Sequence, residues 1–309
     1  MSQQPSKPAD DPSGRGAAQP RVSVVILTLN EEINIEACIA SCAWCDDVHV
    51  LDSGSADRTR ELAERGGARV HVNKFESFGR QRNWAIDHIP MKHKWVFHLD
   101  ADERFTPEVV RELAARIGPD GESIDRVACY RNPSKMMFMG RWIRHAAEYP
   151  VYQVRLFDRT ACRFQDHGHG QRELTEGAIG TFDEPYLHFN FSKGLHDWFA
   201  RHNAYSDREA AHALADEPVG LIEGLRALMT GDGTERRRSL KRLSRRVPCR
   251  GTVYAIYQTV FRLGFLDGAP GWNYIRMRAI YESMIATKLA LLRQEQQAQR
   301  RPPGAGATP

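Results

Sequence analysis

The chain of 309 residues has no run of about 18 apolar residues, the length a helix needs to cross a bilayer, so no transmembrane helix is expected. Its first twenty residues, MSQQPSKPADDPSGRGAAQP, have no apolar stretch of the kind a secretion signal requires. They are rich in Pro, Gly and Ser, so residues 1–20 read as a disordered lead-in and the chain is expected to stay in the cytoplasm. Neither charge dominates: 43 Lys and Arg stand against 39 Asp and Glu, a net +4, and no nucleic-acid partner is expected. Cysteine is scarce. Cys42 and Cys45 form a lone C-x-x-C, with Cys38 one helical turn earlier and no second pair, so the thiols read as reduced and at least partly buried, not as a zinc site. Glycine is missing from LTLNEEINI, the segment after the first strand, which excludes a dinucleotide-binding turn. The P-loop pattern is absent, and so is the Gly-rich phosphate loop expected of a sugar-nucleotide pyrophosphorylase.

What is present is a regular alternation. VSVVILTL from Val22 is a continuous apolar, β-branched run, as in a strand covered on both faces. NEEINIEACIASC follows with helical spacing at Ile33, Ala37 and Ala40. DVHVLD reads as a second strand; SGSADRTRELAERGG as a helix capped by Ser55 or Asp57 and ended by Gly66–Gly67; ARVHVN as a third strand. FGRQRNWAIDHI reads as a helix stopped by Pro90, KWVFHLD as a fourth strand, and TPEVVRELAARIG as a helix with Thr106 as N-cap, Pro107 at its first position and Gly118 past its end. Such alternation demands a mainly parallel α/β sheet with right-handed crossovers. Ligands bind such sheets beyond the carboxyl ends of the strands. Thr28, Asn30 and Glu31 follow the first strand, Asp52 ends the second, and Asp100 and Asp102 end the fourth, so all should meet on one rim.

WVFHLDADERF crowds Asp100, Asp102 and Glu103 together, and like charges raise one another's pKa. In an extended segment Asp100 and Asp102 point the same way and would face one ion. Hard oxygen ligands suit Mg²⁺ or Mn²⁺, which keep several waters and accept phosphate oxygens. A divalent cation would therefore offset the carboxylates and hold a diphosphate. The bland reading is a set of acids before the next helix, whose cap is already provided by Thr106.

The ordered segments SVVILTLNEEINI, VLDSGSADRT, GRQRNWAI and HLDADERF resemble the motifs of glycosyltransferase family 2, inverting enzymes with a GT-A fold. GRWIRHAAEYPVYQVRLFDR, HFNFSKGLHDWFARHNAYSDREA and VPCRGTVYAIYQTVFRLGFLDGAPGWNY resemble its bacterial subgroup that builds lipopolysaccharide core and exopolysaccharide. The resemblance implies a GT-A type, Rossmann-like, mainly parallel sheet with a C-terminal helical, amphipathic appendage. It implies that Thr28, Asn30 and Glu31 line a nucleoside pocket, that Asp52 hydrogen-bonds the base, often uracil, and that Arg82 approaches the base or phosphates. It assigns Asp100 to the ribose or the metal and Asp102 to the metal.

Direct displacement at an anomeric carbon needs a base to take the acceptor's proton. Glu173 in HGHGQRELTEG is the leading candidate, although related sequences often carry a His-Glu pair where this chain has Arg172 and Glu173. Asp183 and Glu184 are lesser candidates. Of His145, His167, His169 and His188, each reads singly as a packed or solvated imidazole; His167 and His188 are the exceptions expected to complete the metal shell or meet phosphate. Tyr149, Gln153 and Arg155 in EYPVYQVRLFDR would form an acceptor-side wall touching sugar or phosphate.

The last third changes character. TERRRSLKRLSRRVPCR places eight Arg or Lys between Arg236 and Arg250, with Leu240, Leu243 and Val247 at helical spacing. A basic amphipathic segment reads as a membrane-surface helix, or otherwise as a solvated face or nucleic-acid patch. GTVYAIYQTVFRLGFLDG is apolar, broken by Arg262, and suited to an interface beside a lipid-linked acceptor. The expected organisation is a catalytic unit over 21–195 (nucleotide half 21–120, acceptor half 121–195), a basic amphipathic helical region over 196–298, and a loose tail over 299–309. The expected function is transfer of a sugar from a nucleotide-sugar donor, with a UDP-sugar as the expected donor, to a lipid-linked saccharide or lipopolysaccharide-core acceptor. It would take place on the cytoplasmic face of a bacterial inner membrane, against an anionic surface. A nucleotidyltransferase making the sugar nucleotide, and a non-catalytic nucleotide-binding membrane adaptor, stand as alternatives.

Overall fold

The structure is a computed structural model that describes residues 19–167, 170–215, 226, 239 and 249–300. The first half alternates as the apolar runs require: β1 (Val22–Thr28), α1 (Ile35–Ser41), β2 (Val48–Asp52), α2 (Thr59–Arg65), β3 (Arg69–Val72), α3 (Phe78–His88), β4 (Trp95–Asp100), β5 (Glu103–Arg104) and α4 (Pro107–Arg116). Then follow β6 (Cys129–Phe138), β7 (Arg141–Trp142), β8 (Val151–Asp158), β9 (Arg163–His167), β10 (Gly170–Leu174), β11 (Ile179–Thr181) and β12 (Tyr186–His188). Three helices complete the described chain: α5 (Gly194–Ala215), α6 (Arg250–Ile256) and α7 (Gly268–Arg300); a π-helical turn, Tyr257–Phe261, and a 3₁₀ turn, Gly264–Asp267, join α6 to α7.

The strands form one sheet in the order β3-β2-β1-β4-β8-β6-β12-β5, with β7 and β11 paired to β6, while β9 and β10 form a separate hairpin. Strands β3, β2, β1 and β4 are parallel, and the remainder is mixed, with β8 antiparallel to both β4 and β6. The order reverses at β1, which places the crevice over the carboxyl ends of β1 and β4. β1 and β4 are buried almost throughout, as expected of strands with helices on both faces. Their side chains enter two apolar clusters, one with Val24, Phe97 and Leu113, the other with Val25, Val96 and Phe157.

Local capping follows the expectation at Thr106, and Ser77 adds a cap that the sequence pattern did not single out. Thr106 Oγ1 accepts from the Val109 amide with Pro107 next in line, and Ser77 Oγ accepts from the Arg80 amide at the head of α3. Elsewhere the expectation misses. α1 buries Ile35, Cys38 and Ile39, while Ile33 is 64% exposed and Ala37 and Ala40 face solvent. Ile33 precedes the first helical turn, so the spacing counted from it marks the wrong face. α2 begins at Thr59 with Asp57 accepting from the Thr59 amide, and Ser55 is taken up in the loop before it.

The helices at the end share a core with the sheet unit. Phe138 and Ile143 pack in one cluster with Trp198 of α5 and Met277, Tyr281 and Ile285 of α7. Among the described residues no helix is long and apolar enough to cross a membrane. Apart from Ser239, the basic stretch from Arg236 to Arg246 lies outside the described residues, as do the leader up to residue 18 and the tail from 301.

Candidate active site at the sheet rim

Register brings the rim together. Thr28 lies opposite Asp52 and Leu27 opposite Asp100, so the ends of β1, β2 and β4 form one row. A cavity of about 590 Å³ opens there, lined by Thr28, Glu31, Asp100, Asp102, Gln153 and His188 among others. A second, of about 580 Å³, lies toward β8, β9 and β10, lined by Arg82, Asp100, Arg131, Gln153, Gln171 and Glu173. The two share Phe78, Asp100 and Gln153.

The crowded acids are matched by charges of the chain itself. Arg155, fully buried on β8, reaches Asp100 Oδ2 from Nη2 at 2.6 Å and donates to Glu103 as well. Arg82, buried on α3, reaches Asp100 Oδ1 at 3.3 Å. Burial disfavours the Asp100 carboxylate, but the two guanidinium groups outweigh it and hold its pKa well below the usual range. Asp102 faces His188 across 3.4 Å. Burial works against both charges, yet the pair prevails, lowering Asp102 and raising His188 to about 9. Burial pushes Glu103 up to about 7, against the pull of Arg155. Part of the neutralisation expected of a cation is thus supplied by Arg82, Arg155 and His188.

The donor set nonetheless suits a divalent ion. Asp100 is 38% exposed at the side chain, and it lines the same cavity as Asp102 and His188, each about a fifth exposed. Among the described residues no three His, Cys, Asp or Glu side chains enclose an ion beforehand.

The other expected residues fall into two groups. Glu31 is in the cavity, where burial raises its pKa against Lys193 Nζ at 2.5 Å and Asn34 Nδ2 at 2.7 Å. Gln153 and Glu173 are in place on the second cavity, and Thr28 on the first. Asp52 is fully buried and organises its loop: Oδ1 accepts from the Gly54 and Ser55 amides, Oδ2 from the Ser55 and Thr28 hydroxyls. Its neighbour Ser53 lines the cavity instead. Asn30 sits at a positive φ of 54° and closes the same loop by accepting from the Ala56 amide. Arg155 is committed to Asp100 and Glu103 and lines neither cavity. Tyr149 packs on Trp142, and His145 pairs with Asp267 at 2.9 Å. The amides of Asp183 and Glu184 bond to Glu112, and neither residue lines either cavity. The side chain of His167 and all of His169 lie outside the described residues.

Sequence reading assigned no role to Glu103, Asn34, Lys193, Arg201 or His202. The last three come from SKGLHDWFARHN, whose helix α5 closes the cavity from above the rim. Their signal was a cluster of polar residues following a strand that ends at His188. The thiols are buried or half-buried as expected, and burial raises Cys38, Cys42 and Cys45, the last to about 12.

Residues 23–172 match the family model for glycosyl transferase family 2. This stretch belongs to that family. Membership supports a transferase, and the match covers the part of the rim built by β1, β2, α3 and β4, while His188, Lys193 and α5 lie beyond it. The chain is similar to the lipopolysaccharide core biosynthesis glycosyltransferase LpsC of Rhizobium meliloti, 31% identical over 97 residues, which is 30% of this chain and 35% of that protein. It is similar to an undecaprenyl-phosphate 4-deoxy-4-formamido-L-arabinose transferase of Pseudomonas paraeruginosa, 25% identical over 260 residues, 79% of this chain and 74% of that one. The matches span 25 to 40% of the length of the first curated relatives. Among solved structures, glucosyl-3-phosphoglycerate synthase of Mycobacterium tuberculosis, in complex with Mg²⁺ and uridine diphosphate, gives a loose likeness. Its TM-score is 0.40 at 19% identity, over 66% of this chain and 83% of that one.

Proposed function

We propose that this chain is an inverting glycosyltransferase that moves a sugar from a nucleotide-sugar donor, a UDP-sugar in the first instance, to a saccharide borne by a lipid or lipopolysaccharide core. The observation that carries this reading is the pair of cavities meeting at Asp100: one on the rim of β1 and β4, the other facing Glu173. A donor in the first would present its anomeric carbon to an acceptor in the second.

In this reading residues 21–195 are the catalytic unit and 196–298 a helical region that serves the acceptor side. Asp100 and Asp102, with His188 once it gives up its proton, would hold Mg²⁺ or Mn²⁺. The ion would supply charge to the leaving diphosphate. Arg82 adds to that charge from the protein: its Nε and Nη1 have no partner, although the side chain is buried, which leaves donors for a phosphate oxygen. Thr28, Glu31 and Ser53 would line the nucleoside end, with Asp52 and Asn30 shaping the loop that carries them. Glu173 would accept the acceptor hydroxyl's proton, and Gln153 and Gln171 beside it would orient the sugar. The acceptor's lipid places the enzyme on the cytoplasmic face of a bacterial inner membrane, in polysaccharide assembly.

Calorimetric titration with nucleoside diphosphates, in Mg²⁺ or Mn²⁺, tests the reading. Binding that needs the ion, is lost in Asp102→Ala and persists in Glu173→Gln is the expected result. No metal-dependent binding by any nucleotide overturns it, and pyrophosphate release from a sugar phosphate and a nucleoside triphosphate would point to a nucleotidyltransferase instead.

A further inference from the structure

Helix α6 and the π-helical turn after it carry their apolar face on the outside. Val253, Ile256, Tyr257, Val260 and Phe261 recur at the spacing of one helical face. All five are exposed, Phe261 at 74% and Val260 at 56%. The inward side is polar or small. Gln258 is fully buried and donates to the Glu148 carboxylate at 2.5 Å and to the Tyr254 hydroxyl at 2.9 Å. Gly251 is pressed so close to α7 that a Cβ there would come within 2.3 Å of the Ala279 carbonyl oxygen. These contacts fix the orientation, so the apolar stripe is held toward solvent by the fold. Leu266 and Trp272, at 55% and 43% exposure, extend the patch.

Contiguous exposed apolar surface of this kind marks a docking face. Charge decides what docks. From Arg236 to Leu266 the sequence has nine Arg or Lys and no Asp or Glu; Arg250 among them pairs with Glu282 at 2.5 Å, and the seven from Arg236 to Arg246 lie outside the described residues. The next acid, Asp267, is buried, and its carboxylate accepts from the amides of Arg144, His145 and Ala146. A second copy of this chain would bring like charge against like, whereas an anionic lipid surface complements both the cations and the apolar residues.

We propose that the outward face of Val253–Leu266, with Trp272, inserts into the headgroup boundary of an anionic membrane. This partner assignment rests on the lipid-borne acceptor proposed above. The face is joined to the acceptor side of the site: Gln258 anchors Glu148, and the chain runs from there into Tyr152 and Gln153, which line the cavity containing Glu173.

The test is co-sedimentation of the full chain with vesicles of phosphatidylcholine alone, or of phosphatidylcholine mixed with phosphatidylglycerol. The double variant Val260→Ser/Phe261→Ser runs alongside, and calorimetric nucleotide binding is measured on both proteins. The expected result is binding to the mixed vesicles only, weakened about tenfold or more in the variant, with nucleotide binding unchanged. Three outcomes overturn the proposal: no vesicle binding by the wild-type chain, equal binding by the variant, or a dimer that the substitutions dissociate. Vesicle binding without nucleotide binding would uphold the docking face and sink the transferase reading instead.

Discussion

Arg155 holds two carboxylates at once: its Nη2 stands 2.6 Å from Asp100 Oδ2 and also donates to the fully buried Glu103. Asp100 and Glu103 together raise the arginine's pKa in spite of its burial. Removing one partner of such a group strands the others, which costs about 3–5 kcal/mol. Arg155→Met should therefore lower the urea midpoint of unfolding by that order. Arg155→Lys, which offers a point charge in place of a fork, should fall between the two. A loss below about 1 kcal/mol for Arg155→Met would show that Arg82 alone suffices for Asp100 and that Glu103 is protonated at no cost.

Glu173 lines the cavity toward β8, β9 and β10, with Arg82 and Asp100 within the same walls. If it takes the proton, Glu173→Gln should reduce kcat about 10²–10⁴-fold, the usual contribution of a general base, and leave the donor KM within a few-fold. A drop in donor affinity with kcat unchanged would instead make it a binding residue.

His202 stacks on Trp198 at 3.6 Å, and its Nδ1 lies 2.8 Å from the Trp198 carbonyl oxygen. Burial, aided by Arg278 and Arg201, pulls its pKa down to about 4, and Tyr205 and Tyr281 pack around the ring. The unfolded chain takes up this proton near pH 6.5 and the folded one only near 4. The stability His202 contributes is thus whole above pH 6.5 and is lost as pH falls toward 4. Between pH 6.5 and 5 the loss should be about 1–2 kcal/mol, read as a falling Tm. His202→Phe keeps the stacking and should flatten that slope; an unaltered slope would place the acid sensitivity elsewhere.

How much of this was legible in the sequence depended on how local the signal was. β1, β2 and β4 and their polar ends could be read because β-branched apolar runs and their terminators lie within a few residues of each other. So could the cap at Thr106, or the burial of Cys38, Cys42 and Cys45, whereas the cap at Ser77 shows only in the structure. The face of α1 was misjudged because Ile33 belongs to the preceding turn. Arg155 read as a wall of the acceptor site, since nothing near it in sequence reveals that its partners are 52 and 55 residues away. Asp52 had the right place and a fuller set of loop partners than its motif suggested. Lys193 and His202 reach the rim only because the chain after β12 folds back beside the loop that follows β1: Lys193 Nζ donates to the Leu29 carbonyl oxygen, 164 positions away.

Gly251 packs where no side chain fits: a Cβ would stand 2.1 Å from Ser283 Oγ and 2.3 Å from the Ala279 carbonyl oxygen. A hydroxyl can rotate away, and a helix carbonyl cannot. Gly251→Ala should cost about 1–3 kcal/mol through overpacking, with little relief from adding Ser283→Ala. Full recovery in the double variant would show that the hydroxyl alone sets the limit. Either way the Tm shift reports how firmly α6 is held to α7.

The most direct measurement is turnover of donor by the purified chain. A panel of nucleotide sugars is incubated with Mg²⁺ or Mn²⁺ and a lipid-linked saccharide, and nucleoside diphosphate is followed. The account predicts release from one donor, abolished by chelator and by Asp102→Ala, and inversion at the transferred sugar's anomeric carbon. Release that persists undiminished in Asp102→Ala, or a product with retained configuration, would contradict it.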